Sequence, residues 1–245
     1  MHCQLATLRN DLYLVFQPIV QRLTSQNSAM TEFEVLLRSK QQGHRYPADF
    51  MDFLIASDER NGQLLSWYSE EMVLVFEKHP TYHFSINLHP QQLFHPSTWV
   101  FLESLETWTD RIQIEVTEKP FLVSSNEAVE AVEAASGSQL FQRMRTINDM
   151  GFRLSFDDVG SGLNTLEMIA NHVADVTTLK FSVYNFRHIA PEVLKHFNIA
   201  WRIFADTYQI RLIVEGVETK SMADYLFANG INWQQGYYWA EKVAL

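Results

Sequence analysis

Two adjacent aspartates, Asp157 and Asp158, end a short apolar run in LSFDDVGSG and lead into a loop spaced with glycines. Like charges side by side raise each other's pKa and cost free energy unless a cation offsets them. Splitting the strand-like runs into their two faces shows where more such groups belong, because successive side chains on a strand point to opposite sides. Phe152, Leu154 and Phe156 oppose Arg153, Ser155 and Asp157; Ile112, Ile114 and Val116 oppose Gln113, Glu115 and Thr117. Phe84, Ile86 and Leu88 oppose His83, Ser85 and Asn87; Phe33, Val35 and Leu37 oppose Glu34, Leu36 and Arg38. Leu179 and Phe181 oppose Thr178 and Lys180, while Gln17 shares a face with Tyr13 and Val15, and Glu215 with Ile213. Gathered at one mouth, Glu34, Asn87, Glu115, Asp157, Asp158 and Glu215 form an oxygen donor set suited to hard cations such as Mg2+ or Mn2+. Neighbouring aspartates can serve two ions about 3.5–4 Å apart, the spacing used for in-line displacement at phosphorus. Lys180 and Arg38 belong to the same mouth.

The elements around these residues must bring several strand ends together. Strand-like runs (YLVFQPIV, FEVLLR, HFSINL, IQIEV, FRLSF, TLKF, RLIVEGV) alternate with helix-like ones such as WYSEEMVLVFEKH and EVLKHFNIAWRIFADTY. Leu140, Phe141, Met144, Ile147 and Met150 form a helical stripe that Gly151 stops, and a further helix is expected over SGLNTLEMIANH with Ser161 as its cap. Alternation of this kind favours an α/β fold with a mostly parallel sheet. A TIM-type (β/α)8 barrel, a single domain over residues 1–245, places catalytic groups at the C-terminal ends of several strands and explains the pattern with fewer assumptions than an open sheet.

Composition narrows the function classes. With 47% apolar residues in 245 the chain reads as globular, and a formal net charge of -10 argues against binding a nucleic acid polymer or an anionic membrane surface. One cysteine, Cys3, fits a reducing compartment, and neither a signal peptide nor a run of roughly 18 apolar residues is evident, so a cytoplasmic protein is expected. His89 and His95 lack a familiar zinc spacing, and Glu127, Glu130 and Glu133 read as a solvated helix face.

Taken in order, FQPIV, EVLLR, INLHPQQL, IEVTE, FDDVGSG, LKF, VEGVET and QGYYW resemble the motif series of the EAL-domain family of cyclic di-GMP phosphodiesterases, from Phe16 to Trp239. The signature here is Glu34, Val35, Leu36, which keeps the carboxylate and changes only the residue expected to face the helices. The resemblance implies metal-dependent hydrolysis of cyclic di-GMP to linear 5'-pGpG with two Mg2+ or Mn2+ ions. It assigns Glu34, Asn87, Glu115 and Asp157 to the first ion, and Asp157, Asp158 and Glu215 to the second. It sets Lys180 near the attacking water, Gln17, Leu36, Arg38 and Gln235 against the dinucleotide, and Glu118 beneath the loop after the aspartate pair. A homodimer and control by a regulatory protein partner are further implications.

Departures from the family pattern keep a second reading open. Ser182 stands where the family usually has Asp, the loop reads VGSGLNTL in place of FGTGYSSL, and the tail AEKVAL lacks the usual proline. No predicted metal ligand is lost, yet these changes suit a catalytically weak member acting as a cyclic di-GMP receptor or interaction module. Residue by residue, plainer roles compete: an acid after a strand is ordinarily a loop carboxylate or helix cap, and Arg38 or Lys180 an ion-pair partner.

Overall fold

The computed structural model describes residues 10–120 and 129–239, with side chains from 139 onward in the second stretch. Cys3, Glu127 and the tail AEKVAL lie outside the described residues, and the side chains of Glu130 and Glu133 are likewise not described.

Eight strands close into a barrel in sequence order: β1 (Leu12–Arg22), β2 (Ser28–Ser39), β3 (His83–Leu88), β4 (Ile112–Val116), β5 (Arg153–Phe156), β6 (Thr178–Ser182), β7 (Arg211–Glu215) and β8 (Trp233–Gln235). From β2 round to β8 every neighbouring pair is parallel and joined by helix. The α-helices among the described residues are α1 (Ala48–Ile55), α2 (Asp58–Lys78), α3 (Pro96–Ser104), α4 (Val129–Asp149), α5 (Leu166–His172), α6 (Pro191–Tyr208) and α7 (Lys220–Ala228).

One strand breaks the expected alternation. β1 runs antiparallel to both β2 and β8. Its link to β2 is a tight turn closed by the Leu23 amide on Asn27 O at 3.0 Å, and a parallel crossover would need a dozen residues or more. The pairing still sets Gln17 opposite Glu34, Val15 opposite Leu36 and Tyr13 opposite Arg38, so β1 contributes its face to the same mouth.

Strand phase follows the alternation. Phe152, Leu154, Phe156, Ile112, Ile114, Val116, Phe84, Ile86, Leu88, Leu179 and Phe181 all belong to the apolar layer between barrel and helices. The helices meet that layer with Leu140, Met144 and Ile147 of α4 and Trp201 and Ala205 of α6. Opposite them, Ser85, Gln113, Glu115, Ser155, Thr178 and Lys180 are buried polar groups filling the barrel interior. Gly151 ends α4 with φ +93°, as the sequence suggests. The helix after the acidic pair starts later than expected: Thr165, not Ser161, caps α5 by accepting from the Met168 amide at 3.2 Å, and residues 159–164 are loop.

Candidate active site

Lys180 anchors the mouth. Its side chain is fully buried, and its Nζ lies 2.7 Å from Glu115 Oε2, 2.7 Å from Glu215 Oε1, 3.3 Å from Glu34 Oε2 and 3.5 Å from Asp157 Oδ1. Burial alone would lower the pKa of the ammonium; Asp157, Glu115, Glu215 and Glu34 outweigh that and hold it well above the usual lysine range. Lys180 is therefore a fixed cation.

Each carboxylate has its own environment. Burial favours protonating Glu34, but Lys180 and donors from Asn87 and Gln235 more than offset it, leaving its pKa below normal. Asn87 Nδ2 donates to Oε1 at 2.8 Å and Gln235 Nε2 to Oε2 at 2.6 Å, so both oxygens are held in place. Burial pushes Glu115 up despite Lys180, and it pushes Glu215 to about 7. Asp157 is raised well above its usual range by burial, with Glu215, Glu115 and Glu34 adding to the effect against Lys180. Asp158 is raised by burial and by Glu118, while Asn185 hydrogen-bonds to it and opposes the shift.

One ammonium cannot compensate this many carboxylates. Asp157 Oδ1 is buried with no hydrogen bond, its nearest cation being Lys180 Nζ at 3.5 Å, and hard oxygen donors carrying surplus negative charge are the chemistry that Mg2+ or Mn2+ takes. Glu118, Asp157 and Asp158 each bring an oxygen within 4.8 Å of the others, a cluster that could hold a cation. The donor set thus fits the implied metal. The structure adds Glu118 to the acidic group beside Asp158, whereas Glu215 turns to Lys180.

A cavity of about 350 Å3 opens beside the carboxylates and is lined by Leu36, Arg38, Asn87, Glu118, Asp157 and Asp158 among others. Arg38 is half-buried and donates to Leu37 O at 2.6 Å. Gln17 lies in register with Glu34 on β1, and Gln235, expected against a ligand, gives its amide to Glu34 instead. Glu34, Leu36, Arg38, Asn87, Glu118, Asp157 and Asp158 thus line the cavity, Lys180 ties Glu115 and Glu215 to Glu34 and Asp157, Gln235 joins them through Glu34, and Gln17 is placed by strand register alone. His89 and His95 take structural parts: His89 Nδ1 accepts from the Gln91 amide at 3.1 Å, and His95 Nε2 lies 2.7 Å from Ile55 O. Burial lowers the pKa of His89 to about 4.

The loop carrying the aspartates is fixed mainly through its backbone. Asp158 adopts a left-handed conformation, φ +47°, uncommon outside glycine. The Val159 amide donates to Lys180 O at 2.9 Å and the Leu163 amide to Glu118 O at 2.9 Å. Gly162, at φ +49°, passes so near that a Cβ there would fall 2.1 Å from Glu118 O. Asn164, only 2% exposed, was not singled out by sequence reasoning. Its amide donates to Asp157 O and, at 3.4 Å, to Val116 O, and its own carbonyl accepts from Gly160 N at 2.7 Å. Its only local signal is a polar residue in a glycine loop.

Several known proteins resemble this chain. The probable cyclic di-GMP phosphodiesterases PdeG and PdeN of Escherichia coli strain K12 are 27% identical over 243 residues and 25% identical over 255. The alignments cover 93% and 98% of this chain but 44% and 45% of those proteins, so the chain spans less than half the length of these curated relatives. Among solved structures, the EAL enzyme Bd1971 with cAMP and cyclic di-GMP bound matches with a TM-score of 0.73 at 21% identity, over 99% of this chain and 65% of that one. Klebsiella pneumoniae BlrP1, as a calcium and cyclic di-GMP complex, matches with a TM-score of 0.73 at 20% identity, over 95% and 56%. These likenesses carry the barrel. Residues 3–242, nearly the whole length, match the EAL domain, and the chain belongs to the EAL domain family.

Proposed function

We propose that this chain hydrolyses one phosphodiester bond of cyclic di-GMP to give linear 5'-pGpG, with two Mg2+ or Mn2+ ions as cofactor. The observation that carries the reading is the meeting of Glu34, Glu115, Asp157 and Glu215 on Lys180, beside a cavity lined by Leu36 and Arg38. The names of PdeG and PdeN, and the cyclic di-GMP complexes of Bd1971 and BlrP1, support the choice of substrate.

Glu34, Asn87, Glu115 and Asp157 would hold the first cation, and Asp157, Asp158 and Glu215 the second. When bound, the ions lower the pKa of a water and offset charge growing on the phosphoryl and leaving oxygens. The chain's own groups do the rest. Glu34, pinned at both oxygens, stays ionised and oriented. Lys180 orients the water and offsets negative charge, its ammonium favoured by Asp157, Glu115, Glu215 and Glu34. Arg38 pairs with a phosphate, Gln17 and Leu36 contact the dinucleotide, Gln235 holds Glu34 at the edge of the ligand, and Glu118 supports the loop. The water oxygen joins phosphorus as the bond to the 3' oxygen breaks, and the proton ends on that oxygen.

Incubation of purified protein with cyclic di-GMP and Mg2+ or Mn2+ should yield pGpG, and Glu34→Ala should abolish turnover with the fold intact. Unchanged turnover in Glu34→Ala would remove the metal assignment. A second reading, a cyclic di-GMP receptor, is favoured by Ser182, which occupies the inward face of β6 opposite Glu215 without supplying a carboxylate. Tight binding by a folded sample without turnover would establish it. We place the chain in the cytoplasm as a homodimer answering to a regulatory protein partner, readings that fractionation, light scattering and pull-down test. No helix among the described residues is long and apolar enough to cross a membrane.

A further inference from the structure

Below Lys180 the barrel holds polar side chains that hydrolysis as proposed does not use. Gln113, 1% exposed, lies two residues before Glu115 on the inward face of β4. Its Nε2 donates to Glu115 Oε1 at 3.3 Å and to Ser85 Oγ at 3.3 Å. Its Oε1 accepts from Thr178 Oγ1 at 2.8 Å and from Arg211 Nη2 at 3.1 Å. Arg211 is itself fixed: Nη1 donates to both oxygens of Glu32 at 2.9 and 2.8 Å, and the guanidinium lies 4.5 Å from the centre of the Trp233 ring. Glu32 lies two residues before Glu34, while Arg211, Thr178 and Trp233 open β7, β6 and β8. The set therefore runs from the N-terminal end of the barrel up to the carboxylates.

An amide side chain can turn over with almost no change in shape, exchanging its donor for its acceptor. Here Arg211 stands against the exchange. Turned over, the NH2 group would meet the Arg211 guanidinium, which can only donate, and the oxygen would meet the Glu115 carboxylate, which when ionised can only accept. Arg211, held by Glu32, thus sets the sense of the amide. The amide, together with the Ser85 hydroxyl, in turn holds Glu115, with Oε2 left to Lys180 at 2.7 Å.

We infer that Gln113, oriented by Arg211 and Glu32, is a positioning residue that sets the angle at which Glu115 meets a divalent cation. This deepens the two-cation reading proposed above and rests on it. Partners one step behind a ligand commonly change metal affinity by about tenfold to a hundredfold. The test is calorimetric titration of Mn2+ into the full chain, without nucleotide, for wild type, Gln113→Met, Arg211→Met, Arg211→Lys and the double methionine variant. Gln113→Met and Arg211→Met should each bind Mn2+ about tenfold more weakly. The double variant should be no weaker than Gln113→Met, because both act through one amide, and Arg211→Lys, which keeps a donor for Gln113, should recover most of the loss. Arg211 reaches the barrel's rim and carries the test if Gln113→Met fails to fold. Affinities within twofold of wild type, or losses that add in the double variant, would overturn the positioning role. Wild type that takes up no Mn2+ would instead overturn the two-cation reading, and this inference with it.

Discussion

Replacing Lys180 with methionine removes the one ammonium shared by Glu34, Glu115, Asp157 and Glu215 and keeps a chain of similar length. Removing one partner of a buried ion pair costs about 3–5 kcal/mol, because the charge left behind is neither solvated nor paired. For a chain of this size each kcal/mol moves Tm by about 2–4 °C, so Lys180→Met in EDTA at pH 8 should melt about 6–20 °C below wild type. The pH dependence has a definite sign. Burial raises the pKa of Glu115, Asp157 and Glu215 in the fold, with Glu215 at about 7, so over this range the folded state binds more protons than the unfolded one. Stability held back at high pH is therefore gained as pH falls through about 7 toward the ordinary carboxylate value. Glu34, held low, titrates below that window, and Lys180 stays charged throughout it. Loss of Lys180 raises the same carboxylates further, so the deficit of Lys180→Met should shrink at pH 5.5. Melting curves by circular dichroism at the two pH values, in EDTA, measure both quantities. A deficit under about 1 kcal/mol at pH 8, or one unchanged at pH 5.5, would refute the charge argument.

Three other perturbations test neighbouring parts of the site. Mn2+ at a hundred times its Kd should stabilise wild type by about 2.7 kcal/mol and flatten the dependence on pH, with EDTA reversing both; a Tm unmoved by Mn2+ would count against a cation site. Gly162→Ala forces a Cβ against Glu118 O, whereas Gly43→Ala, at a similarly positive φ, meets nothing within 4 Å. Urea denaturation should show Gly162→Ala losing more stability than Gly43→Ala, with equal losses arguing that the loop moves freely away from Glu118. Asn164→Ala leaves Asp157 O and Val116 O without its amide and should cost about 1–3 kcal/mol while lowering turnover, both checked on the same preparation.

Strand phase was legible because alternation is local: each inward polar residue sits beside two apolar neighbours that pack on helices, so a few residues assign both faces. Glu115 and Lys180 could be set inward from IQIEV and TLKF alone. The reversed direction of β1 was not legible in the same way, since FQPIV alternates identically in either direction and only the short link at 23–27 makes a hairpin. Asn164 and the Gln113–Arg211 pair escaped for other reasons. Arg211 meets Gln113 across 98 positions, a range that leaves no trace in local spacing, whereas Asn164 reaches Asp157 across only 7, but a polar residue in a glycine loop does not say which group it holds. Gln113 could be set on the inward face, but what it touches there depends on the first residues of β6 and β7.

The departures after Asp158 take on a different weight once the backbone is known. If VGSGLNT held the aspartates through its side chains, the missing aromatic and hydroxyl groups would loosen the site. Instead the anchors are the Val159 amide on Lys180 O, the Leu163 amide on Glu118 O, the Gly160 amide on Asn164 O and the amide of Asn164. Three of these four use main-chain groups at both ends, and the fourth comes from a residue that departs from the family pattern itself. Val159 is fully buried, so its change is one of packing. Ser182 differs in kind: it shares the inward face of β6 with Lys180, where a carboxylate would add another oxygen donor to the mouth, and no backbone contact replaces a missing charge. If turnover proves weak, Ser182→Asp should raise it more than restoring FGTGYSSL at residues 159–166, and the reverse order would return the blame to the loop.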